Sequence, residues 1–216
     1  DREIELRVAT LPTAGNNEDV VMRLLTAKEP LPLEAMEFAP ATLKMLLEIV
    51  EKPHGIILCV GPTGSGKTTT LHALLRHLNT DERKIWTAED PIEISQEGLR
   101  QVQVHPKIGF TFAAAMRSFL RADPDVIMIG EMRDAETVSA AISAAETGHL
   151  VFSTLHTNDA ASAITRLVDI GIEPFLLTAT VQGIMAQRLV RRVCGECKTF
   201  YEPADEVMRR LSLTAD

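Results

Sequence analysis

The segment Gly61-Pro62-Thr63-Gly64-Ser65-Gly66-Lys67-Thr68-Thr69 has the spacing of a phosphate-binding loop. Its glycines let the backbone curl until successive N–H groups point inward at phosphate oxygens, and a helix directly after it adds the positive end of its dipole. Lys67 can then reach the β- and γ-phosphates, and the Thr68 hydroxyl is placed to ligate Mg²⁺. The chemistry predicted is binding of a nucleoside triphosphate.

Other polar residues could complete such a site. Glu131 follows the apolar run Val126–Ile129 and Gly130; it can orient or deprotonate an attacking water, or hold a water of the Mg²⁺ shell. Gly130 would let water and metal come close to the backbone. Glu89 and Asp90 follow Ile85–Ala88, and either could bind Mg²⁺ through water or help polarise the nucleophile. Adjacent strand residues point to opposite faces, so one of the two faces the nucleotide, with Glu89 preferred. His156 follows Leu150–Leu155 and can sense the γ-phosphate by donating a hydrogen bond, whereas His149 enters at the other end of that run. Asp134 reads as a helix N-cap. Charge building on a phosphoryl group calls for cations. Arg117 and Arg121, four apart on one helix face, and Arg7 and Arg23, on two N-terminal strands, are the candidates, set against ordinary surface salt bridges. Cys194-Gly-Glu-Cys197 carries two thiols at the spacing of half a tetrahedral zinc site.

Those residues need elements that converge. Four short apolar runs, Ile56–Val60, Ile85–Ala88, Val126–Ile129 and Leu150–Leu155, alternate with helical stripes such as Leu71, Leu74, Leu75 and Leu78. Continuous apolar strands between amphipathic helices predict an α/β fold with a largely parallel sheet covered on both faces. In such a sheet, ligands sit beyond the carboxyl ends of the strands, where the loop, the acids and His156 all fall. Ahead of this core, Glu3–Val8 alternates with period two, a turn is expected over residues 11–17, and Val20–Leu25 reads as a second strand. The pair reads as the last hairpin of a preceding domain, in a chain cut from a longer protein. The expected division is 1–28 for those strands, 29–40 for a linker, 41–190 for the nucleotide-binding domain and 191–216 for the start of a Cys-containing subdomain.

Composition narrows the class. The chain has 216 residues, with 22 Lys and Arg against 30 Asp and Glu, a net charge of −8 and 4% aromatics. That balance argues against a nucleic-acid motor, which needs a basic track and aromatic side chains for the bases to stack on. Three cysteines are too few for a disulfide scaffold. No apolar run approaches the ~18 residues of a membrane span.

The strings LRVATLPT, VVMRLL, HGIILCVGPTGSGKTTTLHALL, AEDPIEI, IGFTFAAAMRSFLRADPDVIMIGEMRD, AETGHLVFSTLHTNDA and GIEPFLLTATVQGIMAQRLVRRVCGECK run in this order up to Lys198. Together they resemble the type II secretion and type IV pilus assembly ATPases. The resemblance implies a RecA-like P-loop core preceded by the end of a PAS-like domain, in a homo-hexamer that hydrolyses ATP with Mg²⁺. Such a motor would sit in the cytoplasm, peripheral to the inner membrane. It would act on an inner-membrane platform protein and, indirectly, on (pseudo)pilin subunits, without nucleic acid. The resemblance makes Gly61 to Thr68 the Walker A loop and Glu131 the Walker B glutamate. It places Glu89, Asp90 and Glu93 in the aspartate box and His149 and His156 in the histidine box. Arg7, Arg23, Arg117 and Arg121 fall on arginine positions used around the γ-phosphate at subunit contacts.

The chain departs from that pattern in places. Asn17-Glu18 stands where these ATPases carry Gly-Glu, and Glu146 is shared with the pilus retraction motors, which stay the alternative beside a nucleotide-gated scaffold. No Cys or His follows Cys197, so Zn²⁺ on Cys194 and Cys197 is expected in a full-length parent rather than in this chain. The Cys pair itself favours assembly over retraction.

Overall fold

The structure is a computed structural model that describes residues 5–25 and 29–212. Strands β1 (Glu5–Thr13) and β2 (Asn17–Leu25) pair antiparallel from Glu5↔Leu25 to Thr13↔Asn17. The turn is shorter than expected, because β1 continues through Pro12. A two-stranded ribbon has only edges, where a missing N–H can face outward. Glu3 and Ile4 of the expected first strand lie outside the described residues. Apolar side chains on both ribbon faces, among them Val8, Val21 and Met22, are exposed.

After a short 3-10 turn, helix α1 (Pro40–Val50) opens with proline in its first turn, where no backbone donor is lost. Strand β3 (Gly55–Val60) leads through the phosphate loop into α2 (Lys67–Leu78). There follow β4 (Ile85–Glu89), β5 (Arg100–Gln103), α3 (Phe112–Phe119), β6 (Val126–Ile129) and α4 (Ala135–Glu146). Next come β7 (Leu150–Leu155), α5 (Ala160–Asp169), α6 (Pro174–Thr180), β8 (Val181–Ala186) and α7 (Asp205–Leu211).

Six strands form one sheet in the order β5-β4-β6-β7-β3-β8, and every pairing is parallel. Alternation along each strand divides the core into two layers. Ile57 and Cys59 of β3, Met128 of β6 and Phe152 of β7 pack with α1 and α2. Ile56, Leu58 and Val60, with Ile129 and Val151, pack on the other face with α3, α4, α5 and α6. The four apolar runs are thus the four inner strands, each buried from both sides.

Two edge strands were not expected. β5 (Arg-Gln-Val-Gln) and β8 (Val-Gln-Gly-Ile-Met-Ala) have one sheet neighbour each and are only partly buried, so neither shows a continuous apolar run. Among the described residues no helix is long and apolar enough to cross a membrane.

Candidate functional site

The carboxyl ends of β3, β4, β6 and β7 open onto one cavity of about 590 Å³, lined by the phosphate loop from Thr63 to Thr69 and by Glu89, Glu131 and His156. That volume suits a small-molecule site of ~300–1,000 Å³. Asp90, Glu93, Gly130, Thr154 and Arg23 also reach it, Arg23 from β2.

The loop's shape follows from its glycines at two points. Gly66, at φ +88, caps α2; a Cβ there would lie 2.9 Å from Gln187 Nε2. Gly61, at φ +151, would place a Cβ 2.3 Å from the Gln187 carbonyl oxygen. α2 begins without a side-chain cap, so the first-turn N–H groups of Lys67, Thr68 and Thr69 have no acceptor within their own helix. Lys67 Nζ donates to the carbonyls of Gly61 (2.9 Å) and Pro62 (3.1 Å), which lie at the base of the loop. Burial holds the Lys67 ammonium below the ordinary lysine range, while the nearby Glu131 carboxylate pulls in the opposite direction.

Glu131 is buried at 9% exposure. Its Oε2 lies 3.6 Å from His156 Nε2, and Arg133 Nε approaches to 2.5 Å as an ion pair without hydrogen-bond alignment. Oε2 therefore has no hydrogen-bond donor among the described residues, and the same holds for the buried Ser65 Oγ. A buried carboxylate oxygen and a buried hydroxyl left unsatisfied cost free energy unless something else supplies their partners. A helix start without a cap, a lysine turned onto its own loop and two orphaned oxygens around one cavity fit a polyanion accompanied by a hard cation. ATP and Mg²⁺ have that chemistry.

Glu89 also lines the cavity but is buried more deeply, at 3% exposure, and its oxygens are already engaged. Oε1 accepts from Thr87 Oγ1 (2.6 Å) and Gln101 Nε2 (3.0 Å), while Oε2 lies 3.1 Å from His72 Nε2. Gly130 lines the cavity beside Glu131. A Cβ there would sit 3.4 Å from both the Ala88 carbonyl and the Phe112 ring, an ordinary contact distance.

The arginine candidates part company. Arg23 lines the cavity. Arg117 pairs with Glu136 of α4 at an exposed position, and Arg121 Nη2 donates to Ser118 Oγ at 3.2 Å; neither lines the cavity. The backbone of Arg7 pairs with Arg23 in the ribbon, and its side chain lies outside the described residues. His149 is buried at the amino end of β7, where Nδ1 lies 2.9 Å from the Ala144 carbonyl. Cys194 and Cys197 are free and exposed. Among the described residues no group of three or more His, Cys, Asp or Glu could hold a metal.

Sequence reasoning did not reach Gln187. Its N–H donates to the Val60 carbonyl (2.8 Å), and its Oε1 accepts from Thr70 Oγ1 (2.7 Å), so the end of β8 braces the phosphate loop. No local spacing signals this, because the contact exists only through sheet order. Thr154 was more legible, as a hydroxyl in an apolar run; it donates to the Gly130 carbonyl (2.7 Å) and ties the ends of β6 and β7 together.

The family described as "Type II/IV secretion system protein" matches residues 1–214. The chain is 54% identical over 198 residues to the type II secretion system protein HxcR of Pseudomonas aeruginosa, covering 91% of the chain and 42% of that protein. It is 50% identical over 213 residues to the type IV pilus assembly ATPase PilB of Thermus thermophilus, covering 98% of the chain and 24% of that protein. The chain thus spans well under half the length of these relatives. Among solved structures, the pilus retraction motor PilT with bound ADP matches at a TM-score of 0.73 and 36% identity, over 88% of the chain and 60% of that structure. The Legionella pneumophila ATPase DotB matches at 0.72 and 32% identity, over 88% of the chain and 55% of that structure. The α/β core is therefore the RecA-like P-loop core expected from the sequence.

Proposed function

The chain belongs to the type II/IV secretion system protein family, and from that premise we propose that it hydrolyses ATP to power (pseudo)pilus assembly in type II secretion or type IV pilus biogenesis. The observation that carries this reading is the orphaned Glu131 Oε2 beside the phosphate loop, in one cavity with Lys67 and His156. The loop N–H groups and the Lys67 ammonium bind the phosphates, Lys67 exchanging its two loop carbonyls for phosphate oxygens. Magnesium, held by Thr68 and through water by Glu131, would supply charge neutralisation at the phosphates. Glu131 Oε2 orients the attacking water and takes its proton. His156, beside that oxygen, donates toward the γ-phosphate. Glu89 is the second acid, fixed by three partners with limited capacity left to face the cavity.

Arg23 serves as a cation toward the phosphates, a reading supported by its lining of the cavity. Arg117, Arg121 and Arg7 are proposed to act across a subunit contact, in a homo-hexamer peripheral to the cytoplasmic side of the inner membrane, against a platform protein. Assembly is favoured over retraction, since relatives at 50% identity and above are named for secretion or pilus assembly and PilT stands at 36%. Cys194 and Cys197 supply half a zinc ligand set, so zinc would need two further ligands from outside the chain.

The test is ATPase rate per protomer against protein concentration, in wild type and Glu131→Gln. A rate that rises steeply with concentration and disappears in the variant supports a ring motor. Tight ATP binding with negligible turnover at every concentration replaces it with a nucleotide-gated scaffold.

A further inference from the structure

His72, on α2, is completely buried and takes no part in the mechanism above. Its surroundings fix which ring nitrogen carries the proton. One side-chain atom of Gln96 lies 3.0 Å from the His72 carbonyl oxygen and 2.7 Å from His72 Nδ1. A carbonyl oxygen can only accept, so that Gln96 atom is the amide nitrogen and a donor. A donor facing Nδ1 makes Nδ1 the bare acceptor of the ring. The ring proton then sits on Nε2, 3.1 Å from Glu89 Oε2, and His72 donates to the carboxylate.

A second chain of bonds is anchored the same way. Gln101 Oε1 accepts from the Gln96 backbone N–H (2.8 Å), and its amide nitrogen donates to the Ile94 carbonyl (2.8 Å). Neither contact survives a flip of the Gln101 amide, so the same nitrogen also donates to Glu89 Oε1. Backbone groups that cannot change role thus dictate the direction of every bond reaching Glu89 from α2 and β5. With Thr87 on Oε1 as well, Oε1 holds two donors and Oε2 holds one. The remaining acceptor capacity of Oε2 is the part of the carboxylate most open to a group in the cavity.

We propose that His72, locked by Gln96 as the Nε2–H tautomer, is a positioning residue that holds Glu89 in working orientation at the nucleotide cavity. The inference rests on the ATPase reading for its kinetic consequence but not for its structural content. His72→Leu leaves Oε2 of Glu89 without its donor, so the carboxylate is held through Oε1 alone by Thr87 and Gln101. His72→Gln restores a donor near the place of Nε2.

Two measurements test this. The first is the ¹⁵N signature of the His72 ring in the wild-type protein, which needs no catalysis; a protonated Nε2 with a bare Nδ1 is expected, and a protonated Nδ1 overturns the proposal. The second compares His72→Leu with His72→Gln in steady-state hydrolysis. In His72→Leu, kcat is expected to fall about 10–100-fold, the usual scale for losing a residue that orients a functional side chain, with little change in KM. His72→Gln should recover most of that loss. Equal rates in the two variants and wild type overturn the positioning role, as does a loss in KM alone. If His72→Leu does not fold, the ring signature decides the tautomer and His72→Asn, whose shorter side chain cannot reach Oε2, takes its place in the kinetic comparison. Failure of the ATPase reading looks different, because wild type itself would then not turn over.

Discussion

Glu89 is the last residue of β4 and Glu131 stands two residues beyond β6, at the same edge of neighbouring parallel strands whose last mutual pair is Ala88↔Ile129. Both are buried, at 3% and 9% exposure, and both line the same cavity. Their hydrogen bonding is opposite. Glu89 receives donors from Thr87, Gln101 and His72, whereas Glu131 Oε2 receives none among the described residues. Burial therefore does not separate a fixed acid from an available one; the number of donors already committed does. One carboxylate is held by three hydrogen-bond donors of its own protein, and the other has the charge of Arg133 and the ring of His156 beside it, leaving its hydrogen-bonding capacity for a ligand.

Exchanging each acid for its amide tests that contrast from both ends. Glu131→Gln should lower kcat by about 10²–10⁴, the scale of a lost general base, while nucleotide affinity stays close to wild type. Equilibrium urea unfolding of the same variant should show stability little changed, because relief of a buried charge without hydrogen bonds offsets the loss of the ion pair to the exposed Arg133. Glu89→Gln should lower stability in unfolding. An amide nitrogen then faces a donor, and the loss is roughly 1–3 kcal/mol, the cost of an unsatisfied buried polar group. Equal losses in the two variants would erase the distinction.

A smaller step removes one donor at a time. Thr87→Val should cost about 1 kcal/mol in wild type but clearly less in a Glu89→Ala background, which removes the acceptor of the same bond. Additive losses in a double-mutant cycle would mean that the bond contributes nothing. The smallest effect belongs to Asp159, an acid that is satisfied but exposed. The Ser162 backbone N–H donates to it at the start of α5 and holds its carboxyl below the usual carboxylate range. A lowered folded-state value means that its contribution is complete above the ordinary carboxylate range and fades as pH falls through the lowered value. The Tm gap between wild type and Asp159→Ala should therefore narrow on acidification; a gap that widens contradicts the capping role.

The phosphate loop and the inner strands were legible in sequence because their signals are local: nine adjacent residues for the loop and four apolar runs for the strands. Glu89 and Glu131 were found as candidates for the same reason, each following such a run. Their difference was not legible. Glu89's donors stand at positions 72, 87 and 101, and Gln101 sits on an edge strand whose Arg-Gln-Val-Gln sequence carries no apolar run. Arg117 shows the converse limit, since its partner Glu136 comes from the next helix and only the packing of α3 on α4 joins them. Spacing identifies chemistry made within one turn; partners joined by sheet order require the fold.

The order of the sheet also bears on how the protein is made. β3 carries the phosphate loop, yet both its neighbours are encoded later, with Gly55 paired to Leu150 and Ile56 to Val181. At ~5–20 residues per second of synthesis, the last of those partners emerges on the order of ten seconds after β3 itself. During that interval an apolar strand with open edges has left the ribosome without its native cover, a condition that invites chaperone capture and slows completion of a parallel sheet. The loop, braced by Gln187 just beyond β8, then becomes one of the last features of the core to form, so nucleotide can favour the finished fold but not guide its early stages.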